Sequence, residues 1–318
     1  MSENKVHSVA IVGAGAMGAA YASMFAVAEG FSPFFLASGR RYERLSRERL
    51  IVNGESYDVP VRRPQEVTAP VDLLLVALKH HHLEEALPDI APVVGPQTIV
   101  LSVMNGLQSE LILARACASD CLLYAIAVGI DAVREGGRFS FARPGRIIFG
   151  PGPQSGDQGN CLSRLGEALG RAGIPCELAD DIRRVMWWKF MINVGVNQAS
   201  AVLRAPYGIF QTSPDAMALM RLLMEEVIVL AERAGVTLQR RDLEEWLTVL
   251  ATLGPEGKTS MLQDIEGRRK TEVEIFAGEV VAMGRGYGIP TPVNEAVLHI
   301  IRVMEAGYLP DRASSTKQ

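Results

Sequence analysis

One lysine and two asparagines recur at a spacing of four in the second half of the chain. Lys189, Asn193 and Asn197 belong to the segment Trp187-Trp-Lys-Phe-Met-Ile-Asn-Val-Gly-Val-Asn197. At positions i, i+4 and i+8 of a helix they share one face. The other directions of this predicted helix are apolar, so the helix is expected to be buried. Because an unsatisfied polar group inside it would lose free energy, we expect the three side chains to line a cleft.

Lys189 is the candidate proton donor of this group. Burial destabilises a charged ammonium, which makes a lysine able to release its proton closer to neutral pH. The alternative is a structural lysine whose aliphatic part crosses apolar surface while its amine reaches water. The apolar surroundings favour the catalytic interpretation.

A glycine-rich motif of the form G-x-G-x-x-G lies near the amino terminus. It consists of Gly13, Ala14, Gly15, Ala16, Met17 and Gly18. It follows the apolar run Val9–Val12 and opens an apolar helix that extends to about Ala28, the context that a dinucleotide fingerprint requires. The free N–H groups of that helix would face the phosphates. We therefore predict a bound dinucleotide.

The end of the second predicted strand indicates which dinucleotide binds. An NAD site usually places an acidic residue there, on the ribose 2′-hydroxyl. Here the chain continues Ala37-Ser38-Gly39-Arg40-Arg41, without an acid. Guanidinium groups form bidentate hydrogen bonds with a phosphate, so Arg40 and Arg41 favour NADP. The alternative is two solvated arginines at the start of a surface helix.

The first half of the chain alternates apolar β-type runs with helical stretches. Continuous apolar runs are typical of strands buried on both faces of a parallel sheet, and they lie at 9–12, 34–36, 73–78 and 98–101. Asn53-Gly54 predicts a hairpin. Residues 121–150 predict two strands around Glu135-Gly136-Gly137, as an antiparallel addition to the sheet.

From about residue 181 the period becomes helical. Helices are predicted at 184–203, 214–235, 240–252, 266–283 and 293–306. The fold class is therefore an α/β Rossmann-like amino-terminal domain (1–180) that binds NADP, followed by an all-α carboxy-terminal domain (181–318) that holds substrate and catalytic groups.

Composition limits the partners and the compartment. With a net charge of −4, the chain has no general attraction to nucleic acid. Its 4 cysteines form neither a zinc pattern nor a dense disulfide framework, which suits free thiols in a reducing cytoplasm. The uncharged stretch Val9–Ala28 leaves an exported or anchored protein as the alternative, but it contains little Leu or Ile. We expect a cytoplasmic protein without a membrane partner.

No metal site is expected. His80, His81 and His82 are adjacent, so their side chains point in different directions, and no further ligand completes a metal-binding spacing. We leave open whether the chain forms a homodimer.

Several of these motifs, taken in order, resemble the ketopantoate reductase family (2-dehydropantoate 2-reductases of the PanE/ApbA type). The resemblance extends from Gly13 to about Met304. It is carried by the glycine motif, Lys79, Asn105-Gly106, Lys189, Asn193, Asn197, the segment Thr259 to Asp264, Glu272 and the segment Gly288 to Asn294. It implies reduction of a 2-oxo acid by NADPH, in particular of 2-dehydropantoate to pantoate.

The resemblance also implies roles in the helical domain. Lys189 would be the general acid that protonates the ketone oxygen, and Asn193, Asn197 and Ser260 would hold the 2-oxo acid. Without the resemblance, Ser260 could equally be a helix cap or a turn residue.

Other implied roles concern the cofactor side. Asn105 would lie between the nicotinamide ribose and the substrate, and Lys79 would contact the cofactor. Glu272 would anchor a hydroxyl group near cofactor and substrate, or steady the lysine. Taken alone, Glu272 could equally be a surface acid.

Two positions depart from the family pattern. Ser38 stands where many members carry arginine, and Tyr207 stands where members commonly carry asparagine. The second departure leaves the natural 2-oxo acid open. The alternatives are a related 2-hydroxy-acid or imine-reducing dehydrogenase, and a non-catalytic NADP-binding sensor.

Overall fold

The computed structural model describes residues 5–153 and 157–308. The chain divides into two compact units, Met1–Ile182 and Arg183–Gln318. Across the described residues, none of the helices combines the length and the apolar character that crossing a bilayer requires.

The first unit is an α/β domain. Its strands are β1 (Ser8–Val12), β2 (Ser32–Leu36), β3 (Leu50–Val52), β4 (Glu55–Tyr57), β5 (Val61–Arg62), β6 (Leu73–Val76), β7 (Ile99–Ser102), β8 (Cys121–Ile130), β9 (Val133–Glu135), β10 (Arg138–Ser140), β11 (Pro144–Gly150) and β12 (Cys176–Leu178). Its helices are α1 (Ala16–Val27), α2 (Gly39–Leu45), α3 (Leu83–Ile90), α4 (Ser109–Ala116) and α5 (Gly159–Arg171).

Eight strands form the main sheet in the order β12-β11-β8-β7-β6-β1-β2-β5. The central strands are parallel, and Ala10 of β1 pairs with Phe34 on one side and Leu74 on the other. Alternate residues of β1 enter two separate apolar cores: Val9 and Ile11 pack with α1 and α5, whereas Ala10 and Val12 pack with α3. Burial on both faces explains the continuous apolar runs. The Rossmann-like prediction is confirmed.

A second sheet has the order β4-β3-β10-β9. The hairpin predicted at Asn53-Gly54 is present, and both residues have positive φ (51° and 84°). The prediction for residues 121–150 is wrong in detail, because this segment forms four strands instead of two. β8 and β11 pair antiparallel in the main sheet, whereas β9 and β10 form a hairpin that joins β3.

The second unit is helical, as predicted. It contains α6 (Ile182–Ile192), α7 (Gln198–Leu203), α8 (Gly208–Thr212), α9 (Pro214–Arg233), α10 (Arg240–Leu250), α11 (Ser260–Glu266), α12 (Ala277–Tyr287) and α13 (Pro292–Ala306). A π turn, Asn193–Asn197, joins α6 to α7.

The helix predicted at 266–283 is wrong. α11 ends at Glu266, where Arg268 adopts a left-handed conformation (φ 49°) and the Arg269 N–H donates to the Asp264 carbonyl. Thr271 is then held by the buried carboxylate of Glu305, which accepts hydrogen bonds from its backbone N–H (2.7 Å) and its hydroxyl (2.5 Å). Tertiary hydrogen bonds therefore override a local helical pattern.

The cysteines also differ from expectation. Cys121 of β8 and Cys161 of α5 form a disulfide, whereas Cys117 and Cys176 are free. The expectation of free thiols is therefore wrong for two of them, because strand and helix bring residues 40 positions apart into contact. Burial raises the pKa of the Cys117 thiol to about 11. The cytoplasmic location stays a prediction.

Alkylation of the unfolded chain without reductant is expected to label Cys117 and Cys176 only, and all four cysteines after reduction. Reduction should lower the free energy of unfolding by about 2–4 kcal/mol, because the denatured chain loses a cross-link. Mass spectrometry and urea unfolding measure the two effects. Four labelled cysteines without reductant would contradict the disulfide.

Candidate functional site

Two glycines of the G-x-G-x-x-G motif are required by close packing. Gly13 has φ +107°, and a Cβ atom there would lie 2.5 Å from the Ala77 carbonyl oxygen. A Cβ at Gly18 would lie 1.8 Å from the Gly13 carbonyl oxygen. The loop between β1 and α1 can therefore close tightly onto the sheet only without these side chains.

Gly15 has a different environment. Apart from Gly15 itself, its chain neighbours and the adjoining backbone of α1, none of the described atoms lies within 4 Å of a Cβ placed there. Gly15 is the N-cap of α1, its cap forms no side-chain hydrogen bond among the described residues, and the first turn of α1 carries no acid. Unpaired N–H groups and the positive end of the helix dipole therefore face an open space that suits a phosphate.

The other predicted cofactor residues lie at the same edge of the sheet. Lys79 follows β6 and begins a 3₁₀ turn, and Asn105 follows β7 beside Gly106 (φ +95°). Both side chains are half-buried. Because β7, β6, β1 and β2 are parallel neighbours, their carboxyl ends form one edge, the usual position of a dinucleotide.

The two predicted phosphate-binding arginines follow the tip of β2, and they differ in their hydrogen-bond partners. Arg40 is exposed. Arg41 donates to Glu85 (2.8 Å) and lies 2.9 Å from Nδ1 of His82. Burial, followed by the positive charge of Arg41, lowers the pKa of His82, so its neutral ring can accept this hydrogen bond. Arg41 is therefore already engaged within the first unit.

In the second unit, the lysine and asparagines lie where α6 passes into the π turn. Lys189 is half-buried on α6, and Asn193 and Asn197 begin and end the turn. The amide of Asn197 donates to Oδ1 of Asn193 (3.2 Å). The expectation of one regular α-helix through all three residues is wrong, yet the two amides meet. π turns inside helices occur frequently at functional sites.

Close helix packing accompanies the π turn. A Cβ atom at Gly195 would lie 2.5 Å from Cγ and Cε of Met224 on α9. Glycine at this position therefore allows the buried face of α9 to approach the backbone of residues 193–197.

Gln198, which the sequence analysis did not select, ties the π turn to two other elements. It is fully buried. Its Nε2 donates to the Val194 carbonyl (2.8 Å) and to Oδ1 of Asn294 (3.1 Å), and its Oε1 accepts from the Ala277 N–H (2.9 Å). Asn294 in turn donates to Glu226 (2.7 Å). The local sequence does not mark Gln198, because Ala277 and Asn294 are 79 and 96 positions away from it.

The remaining predicted residues lie on elements that pack nearby within this unit. Ser260 is exposed at the start of α11, which packs against the π turn and α7. It is not the cap, because Thr259 accepts the capping hydrogen bond from Leu262 (3.1 Å). Glu272 is half-buried and precedes a 3₁₀ turn, so its expected position within a helix is wrong.

The loop before Ser260 packs on Tyr207. The Tyr207 N–H donates to the Gly257 carbonyl (2.9 Å), and a Cβ at Gly257 would lie 2.9 Å from Cδ2 of the Tyr207 ring. Burial raises the pKa of Tyr207. An aromatic ring therefore borders the segment that carries Ser260.

Comparison with known proteins matches both parts of the chain. Residues 9–154 match the family model of ketopantoate reductase PanE/ApbA, and residues 181–305 match the model of its C-terminal domain. A 2-dehydropantoate 2-reductase of Mesorhizobium japonicum is 30% identical, over 92% of this chain and 96% of that protein. One of Archaeoglobus fulgidus is 27% identical, over 95% of this chain and 99% of that protein.

The chain belongs to the ketopantoate reductase PanE/ApbA family. This is a family of oxidoreductases. A solved 2-dehydropantoate 2-reductase of Geobacter metallireducens has a TM-score of 0.81 and 28% identity, over 93% of this chain and 99% of that one. D-mandelate dehydrogenase with NADH and anilino(oxo)acetate has a TM-score of 0.84 at 23% identity, over 95% and 99% of the two chains, which shows the same fold.

Two glycines of the motif in this ketopantoate reductase family member should respond differently to substitution. Gly15→Ser is expected to keep or raise the free energy of unfolding, because serine is a preferred N-cap. It should weaken NADPH binding at least tenfold, because its side chain fills the open space. Gly18→Ala should cost about 1–3 kcal/mol of stability through overpacking. Urea unfolding measures the stability of both variants, and NADPH titration measures their cofactor affinity. Wild-type NADPH affinity in Gly15→Ser would contradict a phosphate site at Gly15.

Proposed function

We propose that this chain reduces a 2-oxo acid to a 2-hydroxy acid with a nicotinamide dinucleotide, most directly 2-dehydropantoate to pantoate. The observation that supports it best is the Asn193–Asn197 pair at a π turn, one helical turn after Lys189, in a chain of this family. We assign cofactor binding to residues 1–180 and substrate binding and catalysis to residues 181–318.

The first unit suits the dinucleotide. The glycine loop offers backbone N–H groups to the pyrophosphate, with open space at Gly15. Lys79 and Asn105 follow neighbouring strands at the same edge and would contact the ribose and nicotinamide end. Bound there, a reduced nicotinamide would supply a hydride to the carbonyl carbon.

NADPH is the proposed form of the cofactor. Among the two arginines at the tip of β2, Arg40 is exposed and has no side-chain partner in the described residues, so it is available for a 2′-phosphate. Arg41 would contribute only by exchanging its present contact with Glu85.

The second unit supplies the groups that act on the substrate. Lys189 would donate a proton from Nζ to the ketone oxygen and stabilise the negative charge that develops on it. The amides of Asn193 and Asn197 and the hydroxyl of Ser260 would hold the 2-oxo acid. Glu272 would accept a hydrogen bond from a substrate hydroxyl or keep Lys189 charged.

Tyr207 favours a second candidate within the same chemistry. Its ring packs on Gly257, beside the segment that leads to Ser260. Because an aromatic ring offers apolar contact where an amide would offer hydrogen bonds, a 2-oxo acid with an apolar substituent is the second candidate substrate.

Lys189→Ala is expected to lower kcat by about 10²–10⁴, the usual effect of removing a general acid. NADPH affinity should change little, because the pyrophosphate is assigned to the first unit. Lys258→Ala is the matched control, since Lys258 is an exposed lysine paired with Glu266. Near wild-type turnover of 2-dehydropantoate by Lys189→Ala would refute the proton-donor role and favour a structural lysine.

Glu272→Ala should lower kcat/KM for 2-dehydropantoate about tenfold more than for 2-oxoisovalerate, because only the first substrate loses a hydroxyl partner. Glu274→Ala is the control: it lies two positions away and is held by Arg302 (2.6 Å). Steady-state kinetics with both substrates measure the difference. An equal loss would mean that Glu272 acts through Lys189 or the fold.

A further inference from the structure

An acidic side chain reaches the tip of β2 from a different part of the chain. The hydroxyl of Ser38 donates to Oδ2 of Asp89 (2.7 Å), although the two residues are 51 positions apart. Ser38 stands two residues beyond the end of β2, where a dinucleotide places its adenosine ribose. The sequence of this tip contains no acid, but the folded tip does.

The packing of α3 against the sheet fixes the position of Asp89. Its apolar residues Leu83, Ala86 and Ile90 are buried in the core that also contains Phe34 and Leu36 of β2. Glu85 and Asp89, one helical turn apart, remain on a side of α3 that the core does not cover and that meets the start of α2. The acids are therefore placed by the hydrophobic pattern of α3.

Two acids of α3 lie at this tip. Glu85 binds Arg41 (2.8 Å), and Asp89 lies against Ser38. Two carboxylates of α3 thus lie beside Arg40 and Arg41, and they weaken the attraction of this tip for a 2′-phosphate. Apart from Ser38, Asp89 has no side-chain partner among the described residues, and its Oδ1 is available to accept a hydrogen bond.

We propose that Asp89, oriented by Ser38, is a specificity-determining residue that accepts a hydrogen bond from the adenosine ribose, so that the chain binds NADH as well as NADPH. This inference rests on the proposed function, which places a nicotinamide dinucleotide at the glycine loop. A carboxylate accepts hydrogen bonds from a 2′-hydroxyl and repels a 2′-phosphate. Arg40 attracts the phosphate, and the opposing contacts bring the two affinities together.

Binding of NADH and NADPH to the full chain, measured by nicotinamide fluorescence without substrate, tests the proposal. The wild-type Kd values should lie within about tenfold of each other. Asp89→Asn keeps an acceptor for Ser38 but removes the charge. It should strengthen NADPH binding about tenfold and weaken NADH binding severalfold. Ser38→Ala should weaken NADH binding alone, because it only releases the orientation of Asp89.

Glu84→Gln is the control for general charge, since Glu84 is an exposed acid on the same helix. It should leave the ratio of the two Kd values unchanged. Equal effects of Asp89→Asn and Glu84→Gln, or a wild-type preference for NADPH above about 100-fold, would overturn the role of Asp89 while leaving the proposed function intact. Failure of the wild type to bind either nucleotide would overturn both.

Discussion

The buried amide of Gln198 connects the elements on which the second unit depends. It joins the Val194 carbonyl in the π turn, the Ala277 N–H at the start of α12 and the side chain of Asn294 on α13. Each of these groups would lose a partner in the interior without it, at a cost of about 1–3 kcal/mol per unsatisfied group. The π turn that carries the asparagine pair is therefore tied to α12 and α13, which gives Lys189 and the two amides a defined setting.

In the first unit, the main constraint is the close approach of one backbone segment to another. Gly13 and Gly18 let the loop after β1 contact Ala77 and itself, and Gly15 leaves space outside. The sheet then gathers the ends of β7, β6, β1 and β2 along one edge. A phosphate site of this type needs no cationic side chain, because helix N–H groups supply the donors.

The tip of β2 places charged groups at the same edge of the sheet. Arg41 of α2 binds Glu85 of α3, and the neutral ring of His82 accepts a hydrogen bond from Arg41. Asp89 of α3 accepts a hydrogen bond from Ser38. Of these side chains, Arg40 and Asp89 form no ion pair among the described residues. A count of arginines in the local sequence misses these acids, because α3 brings them to the tip from 44 and 51 positions away.

The local sequence by itself determined the strands and turns whose backbone conformation or burial requires particular residue types. Continuous apolar runs predicted β1, β2, β6 and β7, the glycine spacing predicted the loop into α1, and Asn53-Gly54 predicted a hairpin, because burial on both faces and positive φ each demand particular residue types. The candidate residues Lys189, Asn193 and Asn197 also followed from their spacing.

Only the tertiary structure decided the rest. The break after Glu266, the π turn and the Cys121–Cys161 disulfide depend on partners distant in sequence, as do the contacts of Asp89 and Gln198. A residue's partners across 40 or more positions are selected by how helices and strands pack, and neither composition nor periodicity records that choice.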